Sequence, residues 1–158
     1  MPADPAQPAI PDSAADLARR YDTIPYAAQA HAQTHPAYLA MVATLLGRTP
    51  PPVATCRVLE IGCADGANLV PMAAALPQAH FTGCDLSGQA IAVATRMADD
   101  LGLTNVTLLQ QDLRTLPEAP ATYDYIIAHG VYSWVPEPVR EALLALAATR
   151  LSPHGLMY

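Results

Sequence analysis

A doubly wound α/β fold with a mostly parallel sheet is the architecture this sequence predicts, and three observations predict it. From residue 57 onward, short apolar runs alternate with segments of helical periodicity, as parallel strands joined by helical crossovers require. The first run, Arg57-Val-Leu-Glu-Ile61, opens directly into a loop bounded by Gly62 and Gly66. Finally, an acidic or polar residue lies in or just after each of the first four strands: Glu60, Asp85, Asp112 and His129. In such sheets ligands bind outside the carboxyl ends of the strands, where the strand order reverses.

The elements follow in order. Residues 1–16, rich in Pro, Ala and Asp, are expected to form a flexible arm. Residues 17–52 are expected to form an N-terminal helical cap broken by Pro25 and Pro36, with Tyr38, Leu39, Val42, Leu45 and Leu46 on one apolar face. The run Thr49-Pro-Pro-Pro52 ends it, because each proline disfavours helix at its own position and the one before. Strand one, 57–61, carries Val58, Leu59 and Ile61, a near-continuous apolar run suited to burial on both faces. Gly62 and Gly66 have no Cβ to keep the following backbone away from a ligand, and a helix from about Ala67 to Leu76 is expected to aim its positive dipole end at that loop.

Strand two, 79–84, ends in Cys84-Asp85-Leu86-Ser87, with Ser87 as N-cap of a helix to Leu101 and Gly102 as its stop. Ala90, Ala94, Met97 and Leu101 are the expected buried stripe of that helix. Strand three is 105–110 and strand four 123–128. A helix from about Pro138 to Leu151 precedes Leu156-Met-Tyr158, read as the first residues of strand five. The domain, 53–158, is therefore expected to be an incomplete sheet of about five strands, a fragment of a longer protein lacking its C-terminal region. An open edge beside strand four would then favour self-association.

Composition narrows the function. With 158 residues, 52% of them hydrophobic and 14% charged, the chain is globular and long enough for one core. A net charge of -6 with eight Lys and Arg gives no basic run to neutralise phosphates, so no nucleic-acid partner is expected. No apolar segment reaches the ~18 residues of a membrane span, and no signal peptide is recognisable, so the expected location is cytoplasmic. Cys56, Cys63 and Cys84 lack C-x-x-C spacing and read as buried reduced thiols. His31 and His35 are four apart without an intervening metalloprotease glutamate, and Pro36 follows, so no metal is expected.

The strand ends carry the chemistry. A carboxylate at Asp85 can accept from both hydroxyls of a ribose, and Asp112 is placed to accept from an exocyclic adenine amine. Together they predict a nucleoside-bearing cofactor. The loop spacing, E-x-G-x-x-x-G over Glu60, Gly62 and Gly66, is not the G-x-G-x-x-G of a dinucleotide fold. Asp85 lies 23 residues after Gly62, which keeps an NAD-dependent dehydrogenase as a less favoured alternative.

On Glu60, Gly62, Gly66, Asp85 and Asp112, residues 53–158 resemble the class I S-adenosylmethionine (SAM)-dependent methyltransferases, which have a Rossmann-like fold. A narrower resemblance covers almost the whole chain. Tyr21-Asp-Thr-Ile-Pro-Tyr26, Gln33-Thr-His-Pro36 and His129-Gly-Val-Tyr-Ser-Trp-Val-Pro136 are similar to runs of bacterial methyltransferases that carry a C-terminal methyltransferase regulatory domain. That group includes protein-lysine methyltransferases acting on outer-membrane proteins. The resemblance implies that Gly62, Cys63 and Gly66 lie against the methionine part of SAM, with Glu60 orienting the loop or meeting the amino group. It places Asp85 on the ribose with Leu86 beside it, Asp112 and Leu113 at the adenine, and His129 by the sulfonium. Tyr21, Tyr26, Tyr132 and Trp134 become candidates for an aromatic acceptor pocket, and a protein becomes the implied substrate. No residue presents itself as a general base. The competing reading is a non-catalytic SAM-binding module that needs the rest of its parent chain.

Overall fold

In the computed structural model, residues 29–118 and 122–158 are described. Among these residues, four α-helices and five β-strands follow a 3-10 turn at Ala32–Thr34: α1 (Pro36–Leu45), β1 (Arg57–Ile61), α2 (Leu69–Ala75), β2 (His80–Asp85), α3 (Gly88–Asp100), β3 (Val106–Gln110), β4 (Tyr123–Ile127), α4 (Glu137–Arg150) and β5 (Leu151–Met157). The sheet order is β3-β2-β1-β4-β5, and every pairing is parallel. The chain moves outward from β1 to β3, then returns to place β4 on the other side of β1. This reversal makes the carboxyl ends of β1 and β4 the topological switch point.

The apolar run of β1 earns its central place by burying Val58 and Leu59 on opposite faces. One face, with Val58, Phe81, Tyr125 and Ile127, packs against Leu69, Met72 and Ala73 of α2; the other, with Leu59, Ile61 and Ile126, packs against Leu143 and Ala147 of α4. Tyr125 is fully buried, and its hydroxyl donates to the Pro51 carbonyl at 2.7 Å, pinning the proline run to the sheet. Tyr125→Phe leaves that buried carbonyl without its donor and is expected to cost about 1 kcal/mol in urea unfolding, with an unchanged fold.

Several expectations need correction. In α1, Tyr38, Leu45 and Leu46 are exposed, while Ala43 is buried and Leu39 and Ala40 pack on the core. Nearly every residue of this helix is apolar, so periodicity could not say which side faces inward. In α3 the buried line is Ile91, Ala94 and Ala98, with Leu101 exposed. The caps hold: the Ser87 hydroxyl accepts from the Ala90 N–H at 3.1 Å, and Gly102 closes the helix at φ +64°.

The edge of β4 is not open. Leu151 leaves α4 already extended and pairs with Tyr123, and after a register shift Leu156 and Met157 pair with Tyr125 and Ile126. His154, at φ +65°, lies within the intervening irregularity. The outer strands are therefore β3 and β5. Among the described residues, no helix is long and apolar enough to cross a membrane.

Candidate functional site

At the end of β1 the backbone turns through Gly62 at φ +71°, and the Gly62 N–H donates to the Cys84 carbonyl at 2.8 Å. A Cβ on Gly62 would lie 2.8 Å from Cγ2 of Val131, in the turn that follows β4. The two sides of the switch point therefore touch through a glycine. Ala64, the next turn residue but one, is left-handed at φ +46° although it is not glycine. Asp85 holds it there: one carboxylate oxygen accepts from the Ala64 N–H at 3.0 Å, the other from the Ser87 N–H at 2.8 Å. The helix that follows the loop, α2, starts at Leu69, two residues later than the sequence predicts, and has seven residues.

Glu60 is the most strained acid here in electrostatic terms. It is 5% exposed; Oε1 accepts from the Asn68 side-chain amide at 2.7 Å, and Oε2 is buried with no partner. Burial raises its pKa to about 7, with the Asn68 hydrogen bond pulling the other way. A buried carboxylate oxygen left without a donor is costly unless a ligand supplies one.

The other expected residues are placed as follows. Asp112 caps the short turn Leu113–Thr115 and grips the Arg114 guanidinium with both oxygens, at distances down to 2.6 Å. That grip, first of all its hydrogen bonds, lowers the Asp112 pKa. Leu113 is buried and Leu86 half-buried between Asp85 and the cap of α3. Cys63 is buried, and a Cβ on Gly83 would lie 2.8 Å from its Sγ, so the thiol backs the loop against β2 and leaves its backbone to the crevice. All three cysteines are free and buried, with burial raising each thiol pKa.

His129 follows β4, its ring 4.0 Å from that of His31 and 5.8 Å from that of Tyr158. Burial, and then the neighbouring His31, lower its pKa and so favour the neutral imidazole. Tyr132 and Trp134 are 48% and 66% exposed, and the Arg140 guanidinium lies over one face of Tyr132 at 5.4 Å. Tyr21 and Tyr26 lie outside the described residues. His35 spends Nδ1 on capping α1, and among the described residues no three metal-binding side chains converge. A shallow depression by Arg57, His80, Thr104 and Asn105 lies at the opposite, amino-terminal edge of the sheet, away from the switch point.

Asn68, Thr34 and the position of His31 are not marked out in the sequence. The signal was faint: an asparagine between a glycine loop and a helix reads as an ordinary turn residue.

Comparison with known proteins identifies the domain. The methyltransferase domain family matches residues 58–155. Two uncharacterised proteins of Rickettsia prowazekii are 40% and 36% identical over 138 residues, 87% of this chain, and the match spans 25% and 55% of their own lengths. PKMT2 from Rickettsia typhi, solved in complex with AdoHcy, superposes with a TM-score of 0.80 at 35% identity, over 84% of this chain and 26% of that one. The chain thus spans about a quarter to a half of these relatives.

The crevice fits an S-adenosyl cofactor on its own chemistry. The orphaned Oε2 of Glu60 suits an ammonium group, and Asp85, using one acceptor site on each oxygen, keeps others for a diol. With the family match covering most of its length, the chain belongs to the class I SAM-dependent methyltransferase-domain family.

Proposed function

We propose that this chain carries SAM-dependent methyl transfer to a protein side-chain nitrogen, that of lysine. The observation that carries the cofactor part is the buried, unpartnered Glu60 oxygen at the switch-point crevice. The lysine part is supported by likeness to PKMT2 and to the protein-lysine group on the three signature runs.

When bound, SAM supplies a methyl group already activated on a sulfonium, so the chain's task is alignment and water exclusion. Glu60 receives the ammonium and Asp85 the ribose diol, while Gly62, Cys63 and Gly66 offer backbone to the methionine part. Leu86 and Leu113 supply apolar walls. Asp112, though engaged by Arg114, keeps acceptor capacity for an adenine amine. A neutral His129 beside a sulfonium adds no like charge. Tyr132 and Trp134, in the turn after β4, are the acceptor-side aromatics among the described residues, and desolvation there would favour loss of the lysine proton.

Labelled SAM offered with unmodified protein substrates tests this reading. Label recovered as methyl-lysine is the expected result; label on another residue type contradicts it. A second reading is a SAM-binding module without activity of its own, in which the cofactor crevice serves binding alone. Cofactor binding without any transfer would support that reading instead.

A further inference from the structure

Buried polarity in this protein is concentrated at one point. Of the five buried polar residues among those described, three (Thr34, Glu60 and Asn68) belong to a single network. One amide hydrogen of Asn68 goes to Glu60 Oε1 at 2.7 Å and the other to the Thr34 hydroxyl at 3.0 Å. Its Oδ1 accepts from the His31 backbone N–H at 2.8 Å. The Thr34 hydroxyl closes the ring by donating to the His31 carbonyl at 2.9 Å. Both donors and the acceptor of Asn68 are used, and a backbone N–H can only donate, so the orientation of the amide is determined.

The network crosses a long stretch of sequence: Glu60 lies on β1, Asn68 precedes α2, and Thr34 and His31 belong to the segment before α1. Fixing the His31 backbone also sets its ring against His129 at the end of β4. The segment 31–34 thus reaches both sides of the switch point, held by one side chain. That side chain in turn holds the acid whose second oxygen awaits a partner.

We propose that Asn68 is a positioning residue coupling the strap His31–Thr34 to the cofactor crevice, so that an ammonium group on Glu60 and the docked strap reinforce each other. The inference rests on the SAM-binding reading above. A cation on Oε2 holds Glu60 ionised, and an ionised acceptor strengthens the hydrogen bond from Asn68. A firmer Asn68 holds Thr34 and His31 more tightly. By linkage, a docked strap must tighten ligand binding by the same factor.

Hydrogen exchange of the 31–35 amides, paired with calorimetry on the full chain, tests the coupling without any mutation. S-adenosylhomocysteine, which carries the ammonium, is expected to slow exchange there about tenfold. Methylthioadenosine, which lacks the amino-acid part, is expected to bind without that protection. Thr34→Val, which deprives Asn68 of an acceptor, should weaken S-adenosylhomocysteine binding about tenfold, and Thr34→Ser should restore it. S-adenosylhomocysteine binding with unchanged exchange at 31–35, or equal protection by both ligands, overturns the proposal alone. No binding of either ligand to the folded chain overturns the cofactor reading and the proposal with it.

Discussion

Replacing Asp85 by alanine is expected to weaken S-adenosylhomocysteine binding about a hundredfold, the loss of roughly two hydrogen bonds to a charged acceptor. Asp85 has two roles that one substitution removes together. It is the proposed acceptor for the ribose diol, and it fastens the left-handed Ala64 to the start of α3 through the Ala64 and Ser87 N–H groups. Without it, two half-buried N–H groups lose their partner and the loop relaxes, so stability should also fall, by about 2 kcal/mol. Asp85→Asn separates the roles. It keeps the shape and one acceptor but turns an amide toward an N–H donor, so its affinity should lie between wild type and alanine. Calorimetric titration of the three forms, with urea unfolding beside it, reads both effects. Equal affinity for wild type and Asp85→Ala would remove Asp85 from the site.

The pH dependence set by Glu60 is the second large effect. Its pKa of about 7 in the fold stands above the 4.5 of the free group, so between these values the folded state binds more protons than the unfolded one. Stability must then fall as pH rises from about 4.5 to 7 and stay level above it. The full cost is on the order of 3 kcal/mol, 1.36 kcal/mol for each unit. Glu60→Gln should flatten this slope in denaturant titrations across the same window. A cation-bearing ligand works in the opposite direction. Because it binds the ionised acid, affinity for S-adenosylhomocysteine should climb through pH 5–7. It should decline again as the ligand's own ammonium loses its proton near ~8. An affinity that is flat from pH 5 to 7 would mean that the ligand's ammonium does not meet Glu60.

Much of the fold was legible because local signals and tertiary demands agreed. Val58, Leu59 and Ile61 can be buried on both faces only in a central parallel strand, and β1 is that strand. Ser87 and Gly102 bracket α3 because capping chemistry is local. The inward side of α1 was not legible, since its sequence is apolar all round and packing alone selects Leu39, Ala40 and Ala43. The length of β5 was hidden by Pro153 and Gly155, which read as a stop although the chain bulges and returns to the sheet.

The same division runs through the site. Glu60, Gly62 and Asp85 stand out in sequence because each sits at a strand end, where chemistry is expected in this architecture. Asn68 and Thr34 do not, because their meaning lies in contacts 8 and 34 residues away in sequence. Asp112 was legible by position, but its grip on Arg114 depends on a turn that places the two side by side.

A crystal structure of this chain bound to S-adenosylhomocysteine decides whether the switch-point crevice is the cofactor site. The ligand is expected at the carboxyl ends of β1 and β4, its ammonium nitrogen about 2.7–3.2 Å from Glu60 Oε2 and its ribose hydroxyls on Asp85. A ligand seated elsewhere on the fold, with Glu60 Oε2 still without a donor, would contradict it.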